Sequence, residues 1–167
     1  MANRYPLTIS GTSIQEIQNG DTIILPTSSA AFQIKVVNID EPSTVSATAA
    51  TGTINFDITT QSILYYTTNA SGNFTINFRG SSGTTLASLM GTGDAISVSF
   101  LCTNGSTAYY NSSVQVDGTT TGVTTRWQGG TAPTSGNASS VDVYNYVIIK
   151  TAATPTYAVL ASQTKFA

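Results

Sequence analysis

The stretch Asn73-Phe74-Thr75-Ile76-Asn77-Phe78-Arg79 alternates apolar and polar side chains without a break. Successive side chains of a strand point to opposite faces, so Phe74, Ile76 and Phe78 share one face and Thr75, Asn77 and Arg79 the other. The stretch therefore reads as one strand of a sheet with a dry face and a wet face. Gly80-Ser81-Ser82-Gly83 ends it. On its other side, Asn69-Ala70-Ser71-Gly72 reads as a hairpin turn arriving from residues 62–67. There Ile63 and Tyr65 lie on one side and Leu64 and Tyr66 on the other, which predicts a strand covered on both faces.

The same pattern extends outward. Thr53 to Ile58 places Ile54, Phe56 and Ile58 inward, and residues 95–103 place Ile96, Val98, Phe100 and Cys102 inward. Asn104-Gly105 is the strongest two-residue hairpin signal in the chain and leads into residues 107–116. Residues 117–140 are rich in Gly and Thr, interrupted by 123–128, and 141–150 and 157–161 read as the last two strands. Residues 85–90 are the one helix candidate, of a turn or two.

Ahead of the sheet, residues 1–40 read as an arm. Residues 4–9 are extended and 13–17 too short to type. Asn19-Gly20-Asp21 marks a turn before 22–25, and 31–39 form a strand with Phe32, Ile34 and Val36 on one face. Pro6 and Pro26 disfavour long helices. Residues 41–51 read as a linker holding a weak strand around Val45, and 52–167 as the β-module. About seven to nine strands at hairpin spacing predict an all-β fold, an antiparallel β-sandwich or jelly-roll-like domain with an extended N-terminal arm.

The 167 residues suit one domain plus an arm, enough to bury a core without disulfides or a metal. Charged residues are 8%, against about 25% in a typical soluble domain. Such a surface has little repulsion to keep copies apart, so close packing of many copies costs little. The net charge is −2, and the six basic residues, Arg4, Lys35, Arg79, Arg126, Lys150 and Lys165, form no stripe. Nucleic acid is therefore not an expected partner. The opening Met-Ala-Asn-Arg lacks the apolar core of a signal peptide, and no run approaches the ~20 apolar residues of a membrane span. Synthesis in a cytoplasm, without membrane insertion, is expected.

Catalytic chemistry is sparse. There is no histidine, which removes the commonest general base and metal ligand. The single cysteine, Cys102, excludes an intrachain disulfide and reads as a buried thiol. Eight carboxylates form no recognisable acid/base pair; Asp57 and Asp94 read as solvent-facing turn residues. Gly91-Thr92-Gly93-Asp94 lacks the Lys-Ser/Thr ending of a phosphate loop. Asn-X-Ser/Thr sequons at Asn69, Asn73, Asn104, Asn111 and Asn137 are expected to carry no glycan without a secretion signal. No cofactor, no metal and no enzymatic activity are expected. Aromatics are the one feature that stands out: Tyr65, Tyr66, Tyr109, Tyr110, Tyr144, Tyr146 and Trp127 fall in pairs or close together. Flat faces with polar handles suit core packing and subunit interfaces, or sugar stacking. Trp127, next to Arg126 in a Gly-rich stretch, is expected to be the most exposed.

Four stretches carry a resemblance. MANRYPLTISGTSIQEIQNGDTIIL (1–25) resembles the opening of virion structural and tail-fibre-type proteins of marine cyanophages. TGTINFDITTQSILYYTTNASGNFTINFRG (51–80), TRWQGGTAPTSGNASSVDVYNYVIIKTA (125–152) and the ending VLASQTKFA (159–167) resemble a β-rich module of those proteins. Family members often carry more material between the two parts; here residues 26–51 join them directly, which favours a compact knob over a long shaft. The resemblance implies a non-enzymatic part of a phage particle, located in the virion. The arm would dock on the particle and the module project, with other virion proteins and further copies of itself, as a homotrimer, for partners. A host receptor- or glycan-binding module is the alternative.

Overall fold

A computed structural model describes the backbone of Leu7–Ser10 and Ser13–Glu16 and all of residues 40–167. The chain divides into two units, Met1–Asn38 and Ile39–Ala167. In the first, β1 (Leu7–Ser10) and β2 (Ser13–Glu16) pair antiparallel, with Leu7 opposite Glu16 and Ser10 opposite Ser13. The short piece after Ser13 is thus a strand. The turn expected at Asn19–Asp21 and the strands expected at 22–25 and 31–39 lie outside the described residues.

The second unit is all-β. Its strands are β3 (Ser43–Ala49), β4 (Gly52–Asp57), β5 (Ile63–Thr68), β6 (Phe74–Arg79), β7 (Ala95–Thr103), β8 (Asn111–Val116), β9 (Val123–Trp127), β10 (Val141–Ala152) and β11 (Thr156–Phe166). They form a six-stranded sheet in the order β3-β5-β7-β10-β11-β9 and a three-stranded sheet in the order β4-β6-β8. From β3 to β8 the chain therefore alternates between the sheets. Each circuit lays one strand in each sheet, parallel to the strand laid down one circuit before. The stretch read as a linker contains β3, which pairs with β5 at the sheet edge. After β8 the pattern changes: β10 runs antiparallel to β7 and β11, while β9 runs parallel to β11 at the far edge.

The expected hairpins are corrected by this winding. Residues 69–72 and 104–105 each lead from one sheet to the other, so the strands they join are not partners. A two-residue type I′ hairpin needs positive φ at both central residues; neither Asn104 nor Gly105 has it. The Asn104 side chain instead brackets its own loop, donating to Tyr109 O and accepting from Tyr109 N. The expected antiparallel arrangement holds for β7-β10-β11 alone within the second unit, and the three-stranded sheet is wholly parallel. An antiparallel sheet is built from hairpins, whereas a coiled path returns each strand in the same direction.

Alternation sets the inner faces as expected. Phe74, Ile76 and Phe78 of β6, Ile54 and Phe56 of β4, and Val98, Phe100 and Cys102 of β7 are all buried. Aromatic rings join the sheets: Phe74 meets Phe100 at 5.4 Å and Phe78 meets Tyr146 at 5.0 Å, both edge-on. Each such ring contributes about 1.5–3 kcal/mol by leaving water. The helix candidate is one turn, α1 (Leu86–Leu89), and it is held at both ends. The Asp117 carboxylate accepts from the N–H groups of Leu86 and Ala87 at 2.7 and 3.0 Å. Lys150 Nζ donates to Ala87 O and Met90 O, each at 2.7 Å. Acid at the start and base at the end both satisfy orphan groups and match the helix dipole.

Candidate functional site

The outward face of each sheet follows from its register. On the three-stranded sheet, Thr53, Thr75 and Ser113 form one row and Asn55, Asn77 and Gln115 the next. Asp57 and Arg79 close the ladder with an ion pair, Nε to Oδ1 at 2.6 Å. Asn77 donates to Asn55 Oδ1 at 2.8 Å and accepts from Gly118 N at 2.7 Å, so it ties β4 to β6 and to the loop after β8. A groove of about 390 Å³ opens at this end, between Asn77, Arg79, Asp117 and residues 81–85.

The six-stranded sheet turns a different face outward. Val45, Tyr65, Leu101, Val143 and Thr164 lie in one row across five strands. Ile63, Ser99, Asn145 and Ser162 lie in the next, and Ser97, Val147, Leu160 and Arg126 in a third. Ser99 and Asn145 satisfy each other through a 2.7 Å hydrogen bond. Arg126 on the edge strand is the one charged side chain in these rows. An open groove of about 380 Å³ lies here, between Arg126, Asn145, Val147, Leu160 and Ser162.

The aromatics are placed as follows. Tyr144 and Tyr146 are fully buried, which places them with core packing among the roles expected of the aromatics and removes them from any surface or sugar-stacking role. Both faces of 141–150 are apolar, so alternation alone leaves the choice of inner face open. Trp127 is half-buried, its ring edge-on to Tyr144 and Tyr146 at 6.5 and 6.3 Å. It turns inward with Ala161, its partner across the ladder, while Arg126 turns outward with Leu160. The most exposed aromatic expected from the sequence is thus tied to the core. Tyr66 faces inward against Phe100 at 5.4 Å, and burial raises its pKa. Tyr109 packs against the core, and Tyr110 donates its N–H to Asn73 Oδ1. Tyr65 stands on the outward face of the six-stranded sheet, its hydroxyl accepting from Thr103 Oγ1 at 3.4 Å. The seven therefore form no shared surface.

A polar cluster that sequence reading missed sits where β10 begins. The Asp142 carboxylate is fully buried, and its Oδ2 accepts from Asn104 Nδ2, Asn137 N and Gln163 Nε2 at 3.0–3.1 Å. Gln163 Nε2 also donates to the Tyr144 hydroxyl at 3.1 Å. Gly136 lets the loop close over this cluster, since a Cβ there would overlap Tyr109 O and the Asp142 carboxylate. Burial raises the pKa of Asp142 and outweighs the bonds and the Lys165 charge that lower it. It pushes the Cys102 thiol up to about 12 and raises the Tyr144 hydroxyl as well. No residue type in the sequence marks this cluster, which long-range winding brings together.

Asp57 and Asp94, read as turn residues, have separate tasks. Asp57 sits on β4 beside Arg79, and Asp94 accepts from Gly91 N at 2.7 Å to close its own turn. Cys102 is a free, buried thiol. Among the described residues no group of three or more Cys, Asp or Glu side chains is placed to hold a metal ion. No protein-family model, curated protein or solved structure matches this chain.

Proposed function

We propose that this chain is a non-enzymatic structural protein on the surface of a phage particle, as a capsid decoration or a tail or fibre component. The arm at 1–40 docks on the particle and the β-module projects, with copies associating as a trimer. In finer terms the module is a two-sheet sandwich built on a coiled path. The observation that carries this reading is how the module uses its charges. Its four carboxylates hold the fold: Asp57 on Arg79, Asp94 on its turn, Asp117 on α1 and Asp142 in the buried cluster. Lys150 clamps α1 from the other end. Charge spent on rigidity and a filled aromatic core are what a passive building block needs. The resemblance of residues 1–25, 51–80, 125–152 and 159–167 to cyanophage virion proteins supports the same reading.

The test is reconstitution. Purified chain is mixed with particles lacking it and the particles are sedimented. Binding that saturates at a fixed copy number is the expected result; protein left wholly in the supernatant contradicts it. A receptor- or glycan-binding role is the second reading, favoured by the open groove beside Arg126, Asn145 and Ser162. Glycan-array binding that an Arg126→Ala change abolishes would select it.

A further inference from the structure

We infer that the outward face of the six-stranded sheet is the contact between copies of this chain. This deepens the structural reading by naming the surface through which copies meet. Three observations carry it.

The first is chemical. Across β5, β7 and β10 the outward side chains include Tyr65, Leu101, Val143, Val147 and Ile149, and none of those three strands turns an acid, Lys or Arg outward. Leu160 on β11 is 47% exposed. Antiparallel sheets that face water normally alternate apolar-in with polar-out. Here β10 turns Val143, Val147 and Ile149 outward as well as Tyr144, Tyr146 and Ile148 inward, closer to the pattern of a strand covered twice.

The second is electrostatic. A contact between identical chains brings a surface against a copy of itself or of a neighbouring patch, so a charged face meets its own sign. A face whose one charge in these rows, Arg126, stands on its edge strand avoids most of that cost, and its middle strands lack a charge pattern that would single out an oppositely charged partner.

The third is area. Six strands about 4.8 Å apart, with a rise of about 3.4 Å per residue over the nine-residue span of β7, give roughly 700 Å² per copy. That is close to the ~800 Å² each partner contributes to a standard stable interface. Of the polar residues within it, Ser99 donates to Asn145 Oδ1, so that hydroxyl and that carbonyl oxygen enter the contact already bonded.

The test uses the full chain in analytical ultracentrifugation over a concentration series. Mass corresponding to two or three chains at about 10 μM is expected for an interface of this size. Leu160→Lys leaves the free chain folded, since the side chain already reaches solvent, but buries an unpaired ammonium beside Arg126 in the contact. It should weaken association by about a hundredfold or more. Ser97→Glu, at an exposed position in the same row, should do the same. Leu89→Glu on α1, equally exposed but away from this face, should leave association unchanged. A wild-type chain that stays monomeric overturns the inference, whether its face is open or covered by its own residues 1–40. So does association that survives both the Leu160→Lys and the Ser97→Glu change. A monomer that still coats particles leaves the virion reading standing, and a monomer that does not coat them removes both.

Discussion

On the three-stranded sheet the outward rows read Thr53, Thr75, Ser113 and Asn55, Asn77, Gln115; on the six-stranded sheet one outward row reads Val45, Tyr65, Leu101, Val143, Thr164. Both sheets press the same kind of residue inward, Phe and Ile against Phe, Tyr and Val. The difference therefore does not arise from the core. One face is polar in every row: Asn77 bonds to Asn55 and an ion pair closes the ladder. The other mixes Val, Leu, Ile and Tyr with Ser and Asn and is free of charge across its middle strands. Two sheets that share a core but not an exterior differ in what their outer faces are built to meet, and the proposed contact between copies assigns the six-stranded face to protein.

The comparison breaks most visibly where the two sheets join. Phe78 has no exposure and touches Phe56 and Tyr146. Phe78→Ala should lower unfolding free energy in denaturant titration by about 3–5 kcal/mol. A small change would mean that the sheets do not share the core described. On the polar face, Asn77→Ala removes a donor to Asn55 and an acceptor for Gly118 N. It should cost about 1–3 kcal/mol, since one backbone N–H loses its partner. If the loss is nil, the amide row is ordinary wet surface.

A smaller effect isolates the buried acid that belongs to neither exterior. The folded-state pKa of Asp142 is raised, so the folded chain holds that proton more tightly than the unfolded chain does. Its contribution to stability is complete below the unfolded carboxylate pKa of about 3.9 and is lost as pH rises through the folded value. Asp142→Asn keeps the acceptor oxygen and removes the titration. The wild-type minus variant difference in stability should therefore fall with rising pH across that window. A difference that rises instead would mean that the hydrogen bonds outweigh burial.

Much of this was readable from residue patterns. Phe74-Thr75-Ile76-Asn77-Phe78 names its own inner face, and Phe100 and Cys102 do the same for β7. What alternation does not encode is which strands pair and in which direction. A signal for that lies in Thr-Ile-Asn-Phe, which occurs at 53–56 and again at 75–78. The two copies lie side by side in parallel register, residue against like residue. A repeat of this kind points to a winding path with stacked identical rows rather than to hairpins. Asn104-Gly105 misleads because the Asn side chain is used as a buried bracket. Tyr144 and Tyr146 mislead because Val143, Val147 and Ile149 make the opposite face of their strand equally apolar. That double-sided pattern is the feature on which the proposed contact face rests.

The most direct test compares the two exteriors in one experiment. Thiols placed at Ser97 on the six-stranded sheet and at Thr53 on the three-stranded sheet report solvent access through maleimide labelling. Cys102 stays silent at neutral pH, buried and with its pKa pushed up to about 12. As protein concentration rises, the Ser97→Cys thiol should become shielded while the Thr53→Cys thiol labels at a constant rate. Equal labelling of both positions at every concentration would contradict the account.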